Sequence, residues 1–128
     1  MSAPFCQHIH LICNDLEAMI AFWEKGFKAK LVRRREFRGA QGAIMDINGS
    51  AKLYLKSVPC QRADAVEPVA GLEHLGMEVA DLEETVAVLR TIPDVSIVRG
   101  PFASETRSCY FIKGPEGILV EVMQDSAQ

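Results

Sequence analysis

Residues 7–23 read QHIHLICNDLEAMIAFW, and residues 73–89 read EHLGMEVADLEETVAVL. When the two segments are aligned, His8 and His74 occupy the same position, each seven residues before an Asp-Leu-Glu triplet. Self-similarity at a fixed separation is typical of a duplicated structural unit. The repeat therefore predicts two related modules, each with one specialised histidine.

Each segment combines a strand pattern with a helix pattern. Apolar and polar residues alternate over residues 6–13, which indicates a strand with two distinct faces. A cap at Asn14 or Asp15 then begins a helix with apolar side chains at helical spacing. The strand side chains predicted to share one face are His8, His10 and Ile12.

The rest of the pattern predicts the order strand, helix, strand, strand, strand in each half. The first module spans about residues 5–57 and the second about residues 72–124, with a linker at about residues 58–71. In the second module we expect a strand over residues 95–99, a loop over residues 100–105 and a frayed tail over residues 124–128. The predicted fold class is α+β, with two βαβββ modules.

Composition describes a globular domain. The chain has 128 residues, 48% of them hydrophobic and 24% charged, with a formal net charge of -3. This balance predicts no nucleic-acid partner. The basic run at Arg33, Arg34 and Arg35 is interpreted with equal weight as a solvated strand edge or as an anion contact.

The cysteine pattern and the apolar runs bear on location. The four cysteines include no C-x-x-C pair, which argues against a disulfide framework and against a zinc ribbon. We expect reduced thiols and a cytoplasmic protein. The first residues show no signal-peptide pattern, and no apolar run is long enough for a membrane span.

The last predicted strand, residues 118–123, carries a carboxylate between apolar residues. An unpaired charge at Glu121 would be costly there, so an ion pair or an edge position is the simplest explanation. Together with His8 and His74, however, Glu121 makes two imidazoles and one carboxylate. This ligand set suits Fe, Mn, Ni, Co or Zn and leaves coordination positions open for a substrate.

The H-x6-D-L-E repeat, the βαβββ order and the closing GPEGILVEV of residues 114–122 resemble the vicinal oxygen chelate superfamily. That superfamily includes glyoxalase I, extradiol dioxygenases, fosfomycin-resistance enzymes and bleomycin-resistance proteins. The resemblance covers about residues 6–124. It implies an eight-stranded cup built from two modules, with one divalent metal ion at its base and a substrate that chelates the metal through two oxygens.

The resemblance also implies ligand positions on the first and last strands of each module. These are His8, His74 and Glu121, and the fourth position falls on Tyr54. Glyoxalase-like proteins carry Glu or Gln there, so a phenol weakens the case for proton shuttling by a carboxylate base. Tyr54 is instead expected to donate a hydrogen bond to a bound oxyanion.

Other residues are assigned to the substrate through the same resemblance. His10 shares the strand face of His8, but its counterpart in the second repeat is Gly76, so it is interpreted as a pocket residue. Residues 104–110 resemble a substrate loop of the fosfomycin thiol transferases. The residues predicted to contact substrate are His10, Ser104, Arg107 and Tyr110, and those predicted to be catalytic are Glu121 and Tyr54.

The predicted function is a divalent-metal-dependent enzyme acting on a small molecule. Lyase, isomerase, dioxygenase and thiol-transfer chemistry all remain open. The alternative is a non-catalytic protein, similar to the bleomycin-resistance proteins, that binds its ligand in the same cup. A homodimer is expected, because two helix-backed sheets leave apolar edges to cover.

Overall fold

The computed structural model describes residues 3–60 and 70–125. The chain divides into two compact units, Met1–Gln61 and Arg62–Gln128. Each unit contains one α-helix and one four-stranded sheet in the order βαβββ. The predicted fold class and the duplication are therefore confirmed. No described helix is long and apolar enough to cross a bilayer.

Unit 1 begins with the strand that carries His8. Its elements are β1 (His8–Cys13), α1 (Leu16–Phe27), β2 (Lys30–Phe37), β3 (Ala40–Asp46) and β4 (Lys52–Ser57). The strands lie in the order β1-β4-β3-β2, with β1 and β4 parallel and the other pairs antiparallel. Strand β2 is thus an edge strand of this sheet.

Capping residues define both ends of helix α1. Asp15 is the N-cap, and its Oδ1 accepts a hydrogen bond of 3.0 Å from the backbone N–H of Ala18. Lys28 ends the helix in the left-handed conformation, with φ of 58°. The buried side of the helix carries Phe22 and Trp23, both fully buried.

Strand alternation gives each face of the sheet a separate role. Leu53 and Leu55 on β4 are fully buried on the face that meets α1. The residues between them point to the opposite face, which we call the distal face of unit 1. It carries His8, His10, Tyr54 and Lys56. The predicted alternation of β1 and β4 is confirmed.

Unit 2 repeats the plan with a shorter helix. Its elements are β5 (Leu75–Glu78), α2 (Leu82–Leu89), β6 (Ser96–Ala103), β7 (Arg107–Lys113), a 3-10 turn (Pro115–Gly117) and β8 (Leu119–Asp125). The strand order is β5-β8-β7-β6. Asp81 caps α2 through a bond of 3.0 Å from the Glu84 N–H to its Oδ1. Val120 and Val122 are fully buried, which assigns Glu121 to the distal face of unit 2, away from α2.

Two boundary predictions in unit 2 are wrong. Strand β6 continues to Ala103, through Gly100 and Pro101, where we expected a loop. Pro101 is tolerated because β6 is an edge strand, on which a missing N–H need not break a ladder bond. The register shifts on both sides of Arg99 show where the pairing adjusts.

Two residues of the predicted frayed tail belong to a strand instead. Gln124 and Asp125 belong to β8 rather than to a frayed tail. The side-chain oxygen of Gln124 accepts a hydrogen bond of 2.7 Å from the Leu82 N–H, at the first turn of α2. This contact satisfies one of the helix's unpaired amides and fixes the end of the strand. Residues 126–128, and residues 61–69 of the predicted linker, lie outside the described part.

Candidate metal centre

In unit 1, the His8 ring contacts the side chains of Gln7 and Tyr54. Its Nδ1 lies 2.5 Å from Oε1 of the preceding Gln7, and its ring stacks on Tyr54 at 3.9 Å between centroids and 14° between planes. Because the amide oxygen only accepts, the contact favours hydrogen on Nδ1 and leaves the lone pair on Nε2. That is the arrangement in which an imidazole ligates a metal through Nε2.

Unit 2 repeats this contact at the equivalent histidine. Nδ1 of His74 lies 2.9 Å from Oε1 of the preceding residue, Glu73. Its Nε2 lies 3.3 Å from Oε1 of Glu121. Both side chains are partly buried, with 28% of His74 and 22% of Glu121 exposed. One imidazole nitrogen and one carboxylate oxygen therefore converge on the distal face of unit 2.

The strand registers show which positions are equivalent in the two units. In unit 1, His10 on β1 pairs with Tyr54 on β4. In unit 2, Gly76 on β5 pairs with Glu121 on β8. Tyr54 thus lies where Glu121 lies, and His10 lies where Gly76 lies. The equivalence of His10 and Gly76 agrees with the sequence repeat, and that of Tyr54 and Glu121 agrees with the positions that the resemblance implies.

His10 sits in a ring cluster with a positive neighbourhood. Its ring lies 5.1 Å from that of Phe37 and 5.8 Å from that of Tyr54. Partial burial, and then the charges of His8 and Lys56, hold the pKa of His10 below its usual value. This position favours a neutral imidazole near pH 7, able to contact a ligand without charge.

Cys109 is a neighbour of the carboxylate that we did not predict from the sequence. Burial raises the pKa of its thiol, and the charge and hydrogen bond of Glu121 raise it further. Cys109 on β7 pairs with Met123 on β8, two residues beyond Glu121 and on the same face. Strand alternation could have suggested this only after the pairing of β7 with β8 was known.

The residues predicted to contact substrate in unit 2 lie in three different settings. Tyr110 is buried on the helix side, where its hydroxyl donates to Glu83 at 2.9 Å and its pKa is raised by that bond. Ser104 closes the turn between β6 and β7, accepting a bond of 3.1 Å from the Arg107 N–H. The Arg107 side chain reaches Asp125 at 3.3 Å. Tyr110 therefore lies on the face opposite to Glu121, whereas Ser104 and Arg107 lie where β6 turns into β7.

The donor set is compatible with a divalent metal ion. Imidazole nitrogen together with carboxylate oxygen suits first-row transition metals and zinc. His74 already has its second nitrogen engaged by Glu73, the usual support for a metal-bound histidine. Within residues 3–60 and 70–125, no three or more His, Cys, Asp or Glu side chains form a group that could hold a metal ion. The geometry thus brings together two side chains with donor atoms of this kind, His74 and Glu121 in unit 2.

Comparison with known proteins identifies the family. Residues 6–122 match the model of the glyoxalase/bleomycin resistance protein/dioxygenase superfamily, and the chain belongs to that superfamily. No curated protein matches the sequence. The family fits the repeat and the βαβββ units.

Solved structures show the same fold at low sequence identity. A glyoxalase family protein from Bacillus cereus has a TM-score of 0.82 at 18% identity, covering 98% of this chain and 96% of that one. Glyoxalase I from Leishmania major, described as trypanothione-dependent, gives 0.74 at 20%, covering 95% and 87%. The fosfomycin resistance protein FosX from Mesorhizobium loti gives 0.73 at 15%, covering 94% and 91%.

Proposed function

We propose that this chain is a divalent-metal-dependent enzyme acting on a small molecule that chelates the metal through two oxygens. The observation that carries the proposal is the 3.3 Å approach of His74 Nε2 to Glu121 Oε1. The superfamily match, together with the glyoxalase I and FosX structures, supports an enzyme of the lyase, isomerase or dioxygenase kind. Fe, Mn, Ni, Co and Zn are the candidate metals.

His8 is proposed as the third ligand. It occupies the position of His74 in the sequence repeat, and its Nδ1 has the same kind of oxygen partner, Gln7 in place of Glu73. A metal bound by His8, His74 and Glu121 would act as a Lewis acid on two substrate oxygens. The Nδ1 partners hold each imidazole in orientation before the metal arrives.

Tyr54 is proposed to contact the reacting part of the substrate. Its ring stacks on His8, so the phenol is fixed beside a proposed ligand. A neutral hydroxyl in that position donates a hydrogen bond to an oxygen that gains negative charge. Glu121, a carboxylate at the equivalent place in unit 2, is proposed as the ligand with a catalytic role. His10 is proposed to line the same pocket.

The remaining substrate assignments separate into two groups. Ser104 and Arg107 stay proposed contacts at the edge of unit 2, on the turn between β6 and β7. Tyr110 is left out of the proposed site because its hydroxyl is engaged by Glu83 on the helix side.

A homodimer in the cytoplasm is proposed as the working form. Apolar side chains on strands are exposed in both units, including Ile12 at 59% and Phe102 at 51%. Such residues are typical of surfaces that associate. The four cysteines are free thiols, as expected of a protein in a reducing compartment.

Metal analysis of the protein purified without added metal tests the proposal. We expect about one divalent ion per chain, and we expect His74→Ala to lose it. His10→Ala is the matched control, because it removes an imidazole that is not a proposed ligand, and it should keep the metal. Absence of bound metal, with unchanged ligand binding in His74→Ala, would instead indicate a non-catalytic binding protein.

A further inference from the structure

Strand alternation divides the arginine run between the two faces of β2. Arg34 points to the helix side and makes a bidentate pair with Glu17, at 2.6 and 2.7 Å. Arg35 points to the distal face, where its guanidinium carbon lies 4.7 Å from the centroid of the Phe37 ring. Within the described residues, no carboxylate pairs with Arg35. The structure thus leaves the charge of Arg35 available on this face.

Arg35 belongs to a row of residues that crosses the whole sheet. Arg35 pairs with Gly42, Gly42 with Lys56, and Lys56 with Ile12. Strands lie about 4.8 Å apart, so the backbones of Arg35 and Lys56 are roughly 10 Å apart with a glycine between them. Arg35 and Lys56 therefore form a positively charged patch on either side of Gly42, which has no side chain.

The Phe37 ring packs over Gly42 in the middle of this positively charged patch. A Cβ atom on Gly42 would overlap the Phe37 ring and would lie 2.6 Å from the backbone oxygen of Leu55. The glycine is therefore what allows the ring to lie flat on the sheet. From there the Phe37 ring reaches His10 at 5.1 Å and Tyr54 at 6.1 Å.

The neighbouring rings continue the surface. His10 and Tyr54 are directly paired across β1 and β4, and His8 stacks on Tyr54. Four aromatic rings therefore lie beside one positively charged patch within a single unit. They are the rings of His8, His10, Phe37 and Tyr54. Aromatic faces favour planar partners, and guanidinium groups favour carboxylates.

We propose that the distal face of unit 1 recognises a planar, conjugated carboxylate, with Arg35 binding its carboxylate group. Lys56 adds a second positive charge on the other side of Gly42. The inference deepens the proposed function and rests on it, because it assigns the chemical class of the proposed substrate. Arg35 is a specificity residue here, and it takes no part in holding the metal.

A pair of probes that differ only in charge tests this assignment. 3,4-Dihydroxybenzoate carries two vicinal oxygens and a carboxylate, whereas 3,4-dihydroxybenzamide carries the same oxygens and no charge. Calorimetric titration of the zinc-loaded chain should give a dissociation constant about tenfold lower for the acid, the size expected for one charge-assisted hydrogen bond. In Arg35→Ala most of this preference should be lost, and the charge of Lys56 accounts for any part that remains.

Arg34→Ala is the matched control, because it removes a neighbouring arginine from the same strand but from the helix side. It should keep the tenfold preference for the acid. Arg35→Lys, which keeps the charge but loses the planar contact with Phe37, should keep part of it. Circular dichroism of each variant establishes that the fold is retained before affinities are compared.

The outcomes separate this inference from the metal proposal. Equal affinity for acid and amide in the native chain, or an unchanged preference in Arg35→Ala, overturns the inference while metal-dependent binding of the amide supports the proposed function. Benzoate bound by metal-free protein in an Arg35-dependent way supports the inference even if no metal binds. If none of these probes binds with or without metal, both proposals fail.

Discussion

The two units connect the same helix position to different strands. Glu17 and Glu83 each end an Asp-Leu-Glu triplet at the start of a helix. Glu17 binds the guanidinium of Arg34 on the edge strand β2, whereas Glu83 accepts a hydrogen bond from Tyr110 on the inner strand β7. The duplicated position has kept its carboxylate, and its partner in the sheet has changed.

A second difference lies on the distal faces. Tyr54 in unit 1 occupies the position of Glu121 in unit 2, and Gly42 occupies that of Cys109. At these two positions unit 1 therefore carries a phenol and no side chain, and unit 2 carries a carboxylate and a thiol. The equivalent positions have therefore kept the same register while their side chains have diverged in chemistry.

The largest expected effects concern the two cores. Phe22→Ala in unit 1 should lower the free energy of unfolding by about 4 kcal/mol, and Leu89→Ala in unit 2 by about 3 kcal/mol, because both side chains are fully buried. Urea denaturation measures the loss, and amide hydrogen exchange locates it. Equal loss of protection in α1 and α2 for either variant would mean that the units unfold together.

The next largest effect is expected in zinc affinity, where variants of Glu121 and of Tyr54 should differ. Glu121→Ala should weaken zinc binding by about 100-fold or more, since even the loss of an outer partner of a ligand costs 10–100-fold. Tyr54→Phe removes only a hydroxyl and should leave the affinity nearly unchanged. Competition with a chelator measures both. A comparable loss in the two variants would remove the distinction drawn between these equivalent positions.

Removal of the N-cap side chain should destabilise the protein by a similar amount in the two units. Asp15→Ala and Asp81→Ala each remove a side-chain acceptor at 3.0 Å from a first-turn amide, and each should cost about 1 kcal/mol of stability. Asparagine at either position should restore most of the loss. Thermal unfolding followed by circular dichroism provides the measurement, and a cost confined to one cap would show that the repeats differ here as well.

The smallest effects are in pH dependence, and they have opposite directions. Arg34 lowers the pKa of Glu17, so this contribution to stability is present above the ordinary pKa of glutamate and is lost as pH falls through the lowered value. Glu83 raises the pKa of Tyr110, so that contribution is present below about pH 10 and is lost as pH rises through the raised value.

Two variants test the acid and the alkaline contributions to stability separately. Glu17→Gln should flatten only its acid side, and Tyr110→Phe only its alkaline side, with urea midpoints measured across pH. Salt should diminish the Glu17 effect most, because 68% of that side chain is exposed. A change on the wrong side of the curve for either variant would contradict the assignment of partners.

Local pattern was sufficient for much of this fold. The repeat located both modules, Asp15 was one of two predicted caps, and alternation in β1, β4 and β8 assigned His8, Tyr54 and Glu121 to the face away from the helix. These features depend on neighbouring residues or on a period of two, which the sequence displays directly.

Features that depend on pairing between strands were not predictable. Which face Tyr110 occupies relative to Glu121 follows from the register of β7 with β8, which the turn at Pro115–Gly117 determines. The contact of Gln124 with Leu82 joins residues far apart in sequence, so a polar chain end resembled a frayed one. Pro101 suggested a loop because its edge position was unknown.

Trp23 has a spectroscopic consequence. It is the one tryptophan of the chain, it is fully buried, and its indole Nε1 has no hydrogen-bond partner among the described residues. Its emission should be blue-shifted in the native protein and should move to longer wavelength only when α1 separates from its sheet. Intrinsic fluorescence therefore reports the opening of unit 1 alone, and a circular dichroism transition at a different denaturant concentration would reveal unit 2 unfolding separately.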